Sequence, residues 1–161
     1  TLESTYKEYV TLEQEIDFLN EYLDLQKMRF PGKFEYHITS DKNLEVDEVM
    51  LPAMIIQPFT ENSIEHGFSN IDYTGQLSIH FSKTEKDLQI QIIDNGKGLI
   101  NGIKDSNEHI SRASQIIRDR IYLLNIKLKS KASFSIDNNK TGKGVIVKIN
   151  LPLIYLQKNH V

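Results

Sequence analysis

No cysteine occurs in the 161 residues, so neither a disulfide framework nor a thiolate zinc site can be built, which suits a reducing compartment. Basic residues are not in excess: 19 Lys and Arg stand against 22 Asp and Glu, a formal net charge of -3. A broad nucleic-acid surface needs a clustered excess of positive charge, and none is visible. No apolar run approaches the roughly 20 residues that cross a bilayer. Repeats and low-complexity tracts are missing as well. The chain opens at Thr1 without a Met or a signal-like segment, which reads as a piece of a longer protein. What is present, 39% hydrophobic and 25% charged, is ordinary for one soluble domain with its own core.

Two stretches concentrate the chemistry. Leu51 to Gly67 reads as one helix, opened by Pro52 and closed by Gly67. Pro58 inside it predicts a kink. Ile56, Phe59 and Ser63 fall on one stripe, and Asn62, Glu65 and His66 share another, so one side can pack while the other meets a ligand. In the second stretch, Asp87 to Asp94, apolar Leu88, Ile90 and Ile92 alternate with Gln89 and Gln91, as in a strand with one buried face. Asp94 is in phase with the buried side. Asn95-Gly96-Lys97-Gly98-Leu99 follows, where two glycines permit a sharp path and close approach to a bound group.

Around these lie ordinary elements. Residues 1 to 9 are unpatterned. Thr11 to Met28 predicts a helix capped by Thr11 and Gln14, packing Leu12, Ile16, Leu19 and Leu23 and turning Glu13, Glu15 and Asp17 to solvent. Pro31-Gly32 breaks it, and Phe34, Tyr36 and Ile38 alternate as a strand with His37 outward. Asp41 to Val49 reads as a loop with at most a short pairing segment. Leu77, Ile79 and Phe81 mark a strand hairpinned to the Asp87–Asp94 strand, with His80 at the surface. Ile100 to Ser111 is polar and without period, a loop of lid length. Ala113 to Lys129 predicts a helix burying Ile117, Ile121, Leu124 and Leu128, and a last hairpin joins Phe134 and Ile136 to Val145, Val147, Ile149 and Leu151. Tyr155 to Val161 reads as a frayed tail. One-faced strands call for helices on a single side, an α+β two-layer sandwich over a mixed, mostly antiparallel sheet with about three helices.

Taken together, Gln57-Pro58-Phe59-Thr60-Glu61-Asn62-Ser63-Ile64-Glu65-His66-Gly67 and Asp94-Asn95-Gly96-Lys97-Gly98 resemble the N box and first glycine box of the Bergerat-fold (GHKL) ATP-binding superfamily. Within it they look most like the LytS-type sensor histidine kinases, whose pattern is close to L-Q-P-L-V-E-N-A-I-K-H-G. Tyr22 to Phe30 is similar to that family's Y-L-x-L-Q-K-x-R-F helix end. The resemblance implies a Bergerat (HATPase_c) catalytic domain at 31–161, preceded by a linker and packing helix at 1–30. It implies ATP and Mg2+ as cofactors, with Asn62 as metal ligand and Glu61, Asn62 and His66 at the reacting phosphate. Asp94 would receive the adenine amino group, with Gly96, Gly98 and Leu99 around base and sugar, and Ser111 and Arg112 would supply lid donors. It further implies γ-phosphoryl transfer to a His on an upstream dimerisation domain, then to a response regulator. The whole protein would be a membrane-bound homodimer with this domain on the cytoplasmic side.

Three departures qualify that reading. Glu65 stands where many relatives carry Lys, which weakens attraction for a triphosphate. The lid lacks the glycines of G-x-G-L-x-N, its aligned run being His109-Ile110-Ser111-Arg112-Ala113-Ser114. No phosphoacceptor motif resembling H-F-L-F-N is present. Gly142 and Gly144 resemble a late glycine motif, and a hairpin turn explains them equally well. Two alternatives follow: a nucleotide-binding or interaction module without kinase activity, marked by absent ATP affinity, or another GHKL ATPase or kinase.

Overall fold

The computed structural model describes residues 8–99, 104–140 and 142–157, and within 104–111 only the backbone. Among these residues a five-stranded sheet has the order β2-β4-β5-β7-β6, made of β2 (Phe34–Ser40), β4 (Gly75–Lys83), β5 (Asp87–Asp94), β6 (Ser133–Asn138) and β7 (Val145–Pro152). The β2 and β4 strands run parallel and every other pair is antiparallel. The central strands bury alternate residues only, Leu77, Ile79 and Phe81 on β4 and Leu88, Ile90 and Ile92 on β5. One face therefore takes all the helices: α1 (Leu12–Arg29), α2 (Gln57–Asn62, continued by a π-helical turn over Ser63–Gly67) and α3 (Lys104–Leu128) join it in one core. This is the expected two-layer α+β sandwich with a mixed, mostly antiparallel sheet.

Helix α1 forms as its sequence dictates. The Thr11 hydroxyl accepts from Gln14 N at 3.2 Å and the Gln14 side chain accepts from Thr11 N at 2.9 Å, a reciprocal cap. Replacing Thr11 by Ala should cost about 1 kcal/mol in denaturant unfolding. The Tyr36 hydroxyl of β2 anchors the helix by donating to Asp24 Oδ1 at 2.7 Å, with Asn20 oxygens also in reach. Burial and the Asp24 carboxylate push the Tyr36 phenol up to about 12. A phenol raised on folding stabilises the fold fully below its ordinary value near 10, and that contribution is lost as pH rises through the folded value. Alkaline titration of unfolding should therefore show the wild type losing stability between about pH 10 and 12 relative to Tyr36→Phe, with the two curves parallel at neutral pH.

Several expectations need correction. Leu51-Pro52 does not open a helix: Val49–Pro52 is strand β3, centre of a small sheet with β1 (Tyr9–Thr11) and β8 (Ile154–Tyr155), which the sequence reading did not contain. The helix starts at Gln57, so Pro58 lies in its first turn, where no backbone donor is needed, and the irregularity is the π-helical turn closed by Phe68 N to Ser63 O at 2.8 Å. Glu15 is not solvated; it is only 2% exposed. The α3 helix begins at Lys104, so most of the expected loop is helical, because polar sequence without a visible period still propagates a helix that packs further on. Residues 100–103 lie outside the described residues, as do 1–7 and 158–161 of the two expected tails. Leu128 ends α3 exposed, just before Lys129 turns the chain at φ 51. His37 is exposed, and half-exposed His80 bonds Thr39 and Asp41.

Candidate functional site

The site grows from the end of β5. Asp94 completes the buried face of that strand at 6% exposure, and a carboxylate in such a place must be hydrogen-bonded. Ser63 Oγ donates to Oδ2 at 2.6 Å, while Gly96 N and Val145 N donate to Oδ1 at 2.9 and 3.2 Å. Burial raises the Asp94 pKa, and these three donors oppose the rise.

The two sequence stretches meet here. Gly96 packs on the end of the π-helical turn: a Cβ there would lie 2.5 Å from Gly67 O, and Lys97 N donates to that same oxygen at 2.9 Å. Gly96 is thus required by helix–loop contact, and it also lines the cleft described below. Gly67 in turn faces both Asp94 carboxylate oxygens and the Asn62 carbonyl, each just under 4 Å from where its Cβ would be. Gly98 takes φ +82, and both backbone groups of Leu99 pair with the Asn138 side chain, at 2.7 and 3.3 Å. Asn95 is fixed by Tyr73 Oη and Gln76 N, each at 2.6 Å.

The remaining predicted residues are less closely gathered. Glu61 is half-buried and accepts from Gln57 Nε2 at 3.0 Å, one turn back on α2. Asn62 and His66 are half-buried on the same helix, and Glu65 is exposed. Arg112 is exposed on α3, while the Ser111 side chain lies outside the described residues. A cleft of about 780 Å³ is lined by residues 70–73, Gly96 to Leu99, Asn138, Asn139 and Gly142 to Gly144. Asn62, His66 and Asp94 are not among its lining; Asp94 reaches its wall through the bond to Gly96 N.

Three contributors were not among the residues the sequence assigned to the site. Ser63 had a readable signal, a hydroxyl on the apolar stripe of α2 that must find a partner. Gly144 stands at φ +97 with its α-carbon against the Asp94 backbone, leaving no room for a side chain. Its neighbour Val145 supplies the third donor to Asp94. Nothing local announces that last contact, which spans 51 positions.

Comparison with known proteins agrees with this geometry. The histidine kinase family profile matches residues 1–34. Sensor protein LytS of Oceanobacillus iheyensis is 31% identical over 153 residues, covering 89% of this chain and 25% of its own length. The chain thus spans about a quarter of that relative. The histidine kinase domain of a blue-light activated kinase from Erythrobacter litoralis superposes with a TM-score of 0.62 at 20% identity, over 85% of this chain and 60% of that one. The nucleotide-free catalytic domain of histidine kinase ThkA gives 0.61 at 12% identity, over 92% and 97%, and ThkA is also solved in complex with the response regulator protein TrrA. In sequence the chain is similar to part of the LytS-type sensor histidine kinases, and its fold is that of histidine kinase catalytic domains.

Proposed function

We propose that the chain binds Mg-ATP beside Asp94 and, within a longer protein, transfers the γ-phosphoryl group to a histidine of an upstream dimerisation domain. One observation carries this reading. An ionised carboxylate offers about four acceptor positions, and among the described residues three donors occupy Asp94. One acceptor position, on Oδ2, remains, and an exocyclic amino group such as that of adenine is the donor it suits.

In this reading Gly98 and Leu99 border the base, and Asn62 offers one amide oxygen to Mg2+, whose other ligands are phosphates and waters. When bound, the ion neutralises charge developing on the transferred group. His66, four residues after Asn62, meets phosphate, and Glu61 polarises groups around the transferred phosphoryl. Ser111 and Arg112 contribute donors from α3. Catalysis of this kind is chiefly positioning and charge stabilisation. Residues 1–30 connect the 31–161 catalytic domain to the phosphoacceptor domain. The ThkA–TrrA complex supports a response regulator as next acceptor, and homodimeric membrane anchoring would reside in the rest of the protein. Among the described residues no helix is long and apolar enough to cross a membrane.

The test is transfer in trans. Incubated with γ-labelled ATP, magnesium and a separately produced LytS-type dimerisation domain, the chain should place acid-labile label on that domain's histidine. Asn62→Ala should reduce the rate at least tenfold, the loss of about 1.4 kcal/mol of transition-state stabilisation. A folded chain that binds nucleotide but labels nothing would make it a binding module without kinase activity.

A further inference from the structure

The turn that feeds α2 is held from three sides. Ala53 N donates to Glu8 O at 2.9 Å, ahead of β1. The Ala53 carbonyl accepts from Arg120 Nη2 of α3 at 2.6 Å. Met54 N, one residue on, donates to Glu15 Oε2 of α1 at 3.3 Å. Met54 also sits at φ 60, a left-handed conformation that costs a non-glycine residue on the order of 1 kcal/mol and persists only where its surroundings impose it.

The clamp is made of groups that are expensive to bury. Glu15 is 2% exposed, and its Oε1 has no hydrogen-bond partner among the described residues. Burial raises the Glu15 carboxyl, opposed by the Met54 N–H and by the nearby charge of Arg120. A buried carboxylate near a half-buried guanidinium adds little net stability over apolar groups of similar shape, and the best-attested use of such charges is to fix one arrangement over others. Here the arrangement joins α1 and α3 to the single peptide from which α2 departs three residues later. Asn62 and His66 ride on α2 and its π-helical turn, and Arg112 rides on α3.

We propose that Glu15 and Arg120 are positioning residues that set α2 against α3, so that a displacement of α1 reaches the phosphate-binding side chains through the Ala53–Met54 peptide. This inference rests on the nucleotide-binding reading above. It assigns neither residue contact with ATP. It makes α1 the input element, since Glu15 is the only described side chain of that helix bonded to the turn.

The test compares Glu15→Met, Arg120→Met and Arg120→Lys with wild type in the same chain. The readouts are affinity for an ATP analogue and amide hydrogen exchange. Glu15→Met keeps the side chain's length but removes the acceptor for Met54 N, and Arg120→Lys keeps one charged donor for the Ala53 carbonyl. Expected are a loss of affinity of about tenfold in Glu15→Met and Arg120→Met, and exchange at least tenfold faster at residues 57–67. The β5 amides should exchange as in wild type, and Arg120→Lys should recover part of both effects. Faster exchange spread equally over β5 would show a merely structural role and overturn the proposal, as would unchanged exchange at 57–67. Should wild type itself bind no nucleotide, the function reading fails, while the exchange pattern still decides whether the clamp holds α2.

Discussion

Asp94→Asn should leave the fold intact and weaken ATP-analogue binding by between tenfold and about a hundredfold, the worth of one hydrogen bond to a charged group, on the order of 1.5 to 3 kcal/mol. The substitution is isosteric. Its oxygen can keep the two backbone donors of Gly96 and Val145, and its amide can donate to Ser63, whose hydroxyl accepts as well as donates. What disappears is the negative acceptor that the proposed site offers an adenine amino group. Stability should move the other way. Because burial raises the Asp94 pKa on folding, its protonated form favours the native state fully below the ordinary carboxylate value, and that contribution is lost as pH rises through the folded value. At neutral pH the wild type bears the cost of a buried charge that Asn does not. Unfolding midpoints should place Asp94→Asn at or above wild type at pH 7, with the advantage shrinking as the solution is made acidic. A variant that unfolds at pH 7 would show Asp94 to be a structural anchor.

Gly144→Val should be the most damaging single change outside the apolar core. The residue stands at φ +97, and a Cβ would run into the carbonyl and carboxylate of Asp94. Left-handed strain and overpacking each cost on the order of 1 to 3 kcal/mol. Together they reach about 4 kcal/mol, a large part of the 5 to 15 that holds a domain folded. Denaturant unfolding should show a midpoint shift of that size at unchanged slope. Gly142→Ala in the same hairpin is the contrast, since its nearest neighbour is the Asn139 side chain at 3.6 Å, an ordinary contact. That pair of variants separates a turn glycine from one that makes room for the site.

The sequence was legible where physics is local. The cap of α1, the period of β5 and the phase that buries Asp94 all follow from neighbours within a few residues, and each stands as expected. The Asn62-to-Gly67 stretch announced itself by composition and spacing, although its helix starts later than Pro52 suggested. Partners far along the chain left no trace. Glu15 lies between Leu12 and Leu19 on the packed stripe, yet a carboxylate is assigned to solvent unless a partner is known. Its partner Met54 is 39 positions away. Gly144 looked like a turn residue because the backbone it touches belongs to another strand. The small sheet was missed for the same reason: β1, β3 and β8 are two to four residues each, too short to display a period.

The central claim is that the Asp94 corner is a nucleotide site, and calorimetric titration of the folded chain with a non-hydrolysable ATP analogue, with and without magnesium, tests it most directly. Micromolar-to-millimolar binding is predicted, on the order of 4 to 8 kcal/mol, strengthened by magnesium in wild type and insensitive to it in Asn62→Ala. No heat of binding from a chain shown to be folded, at analogue concentrations into the millimolar range, would contradict the account.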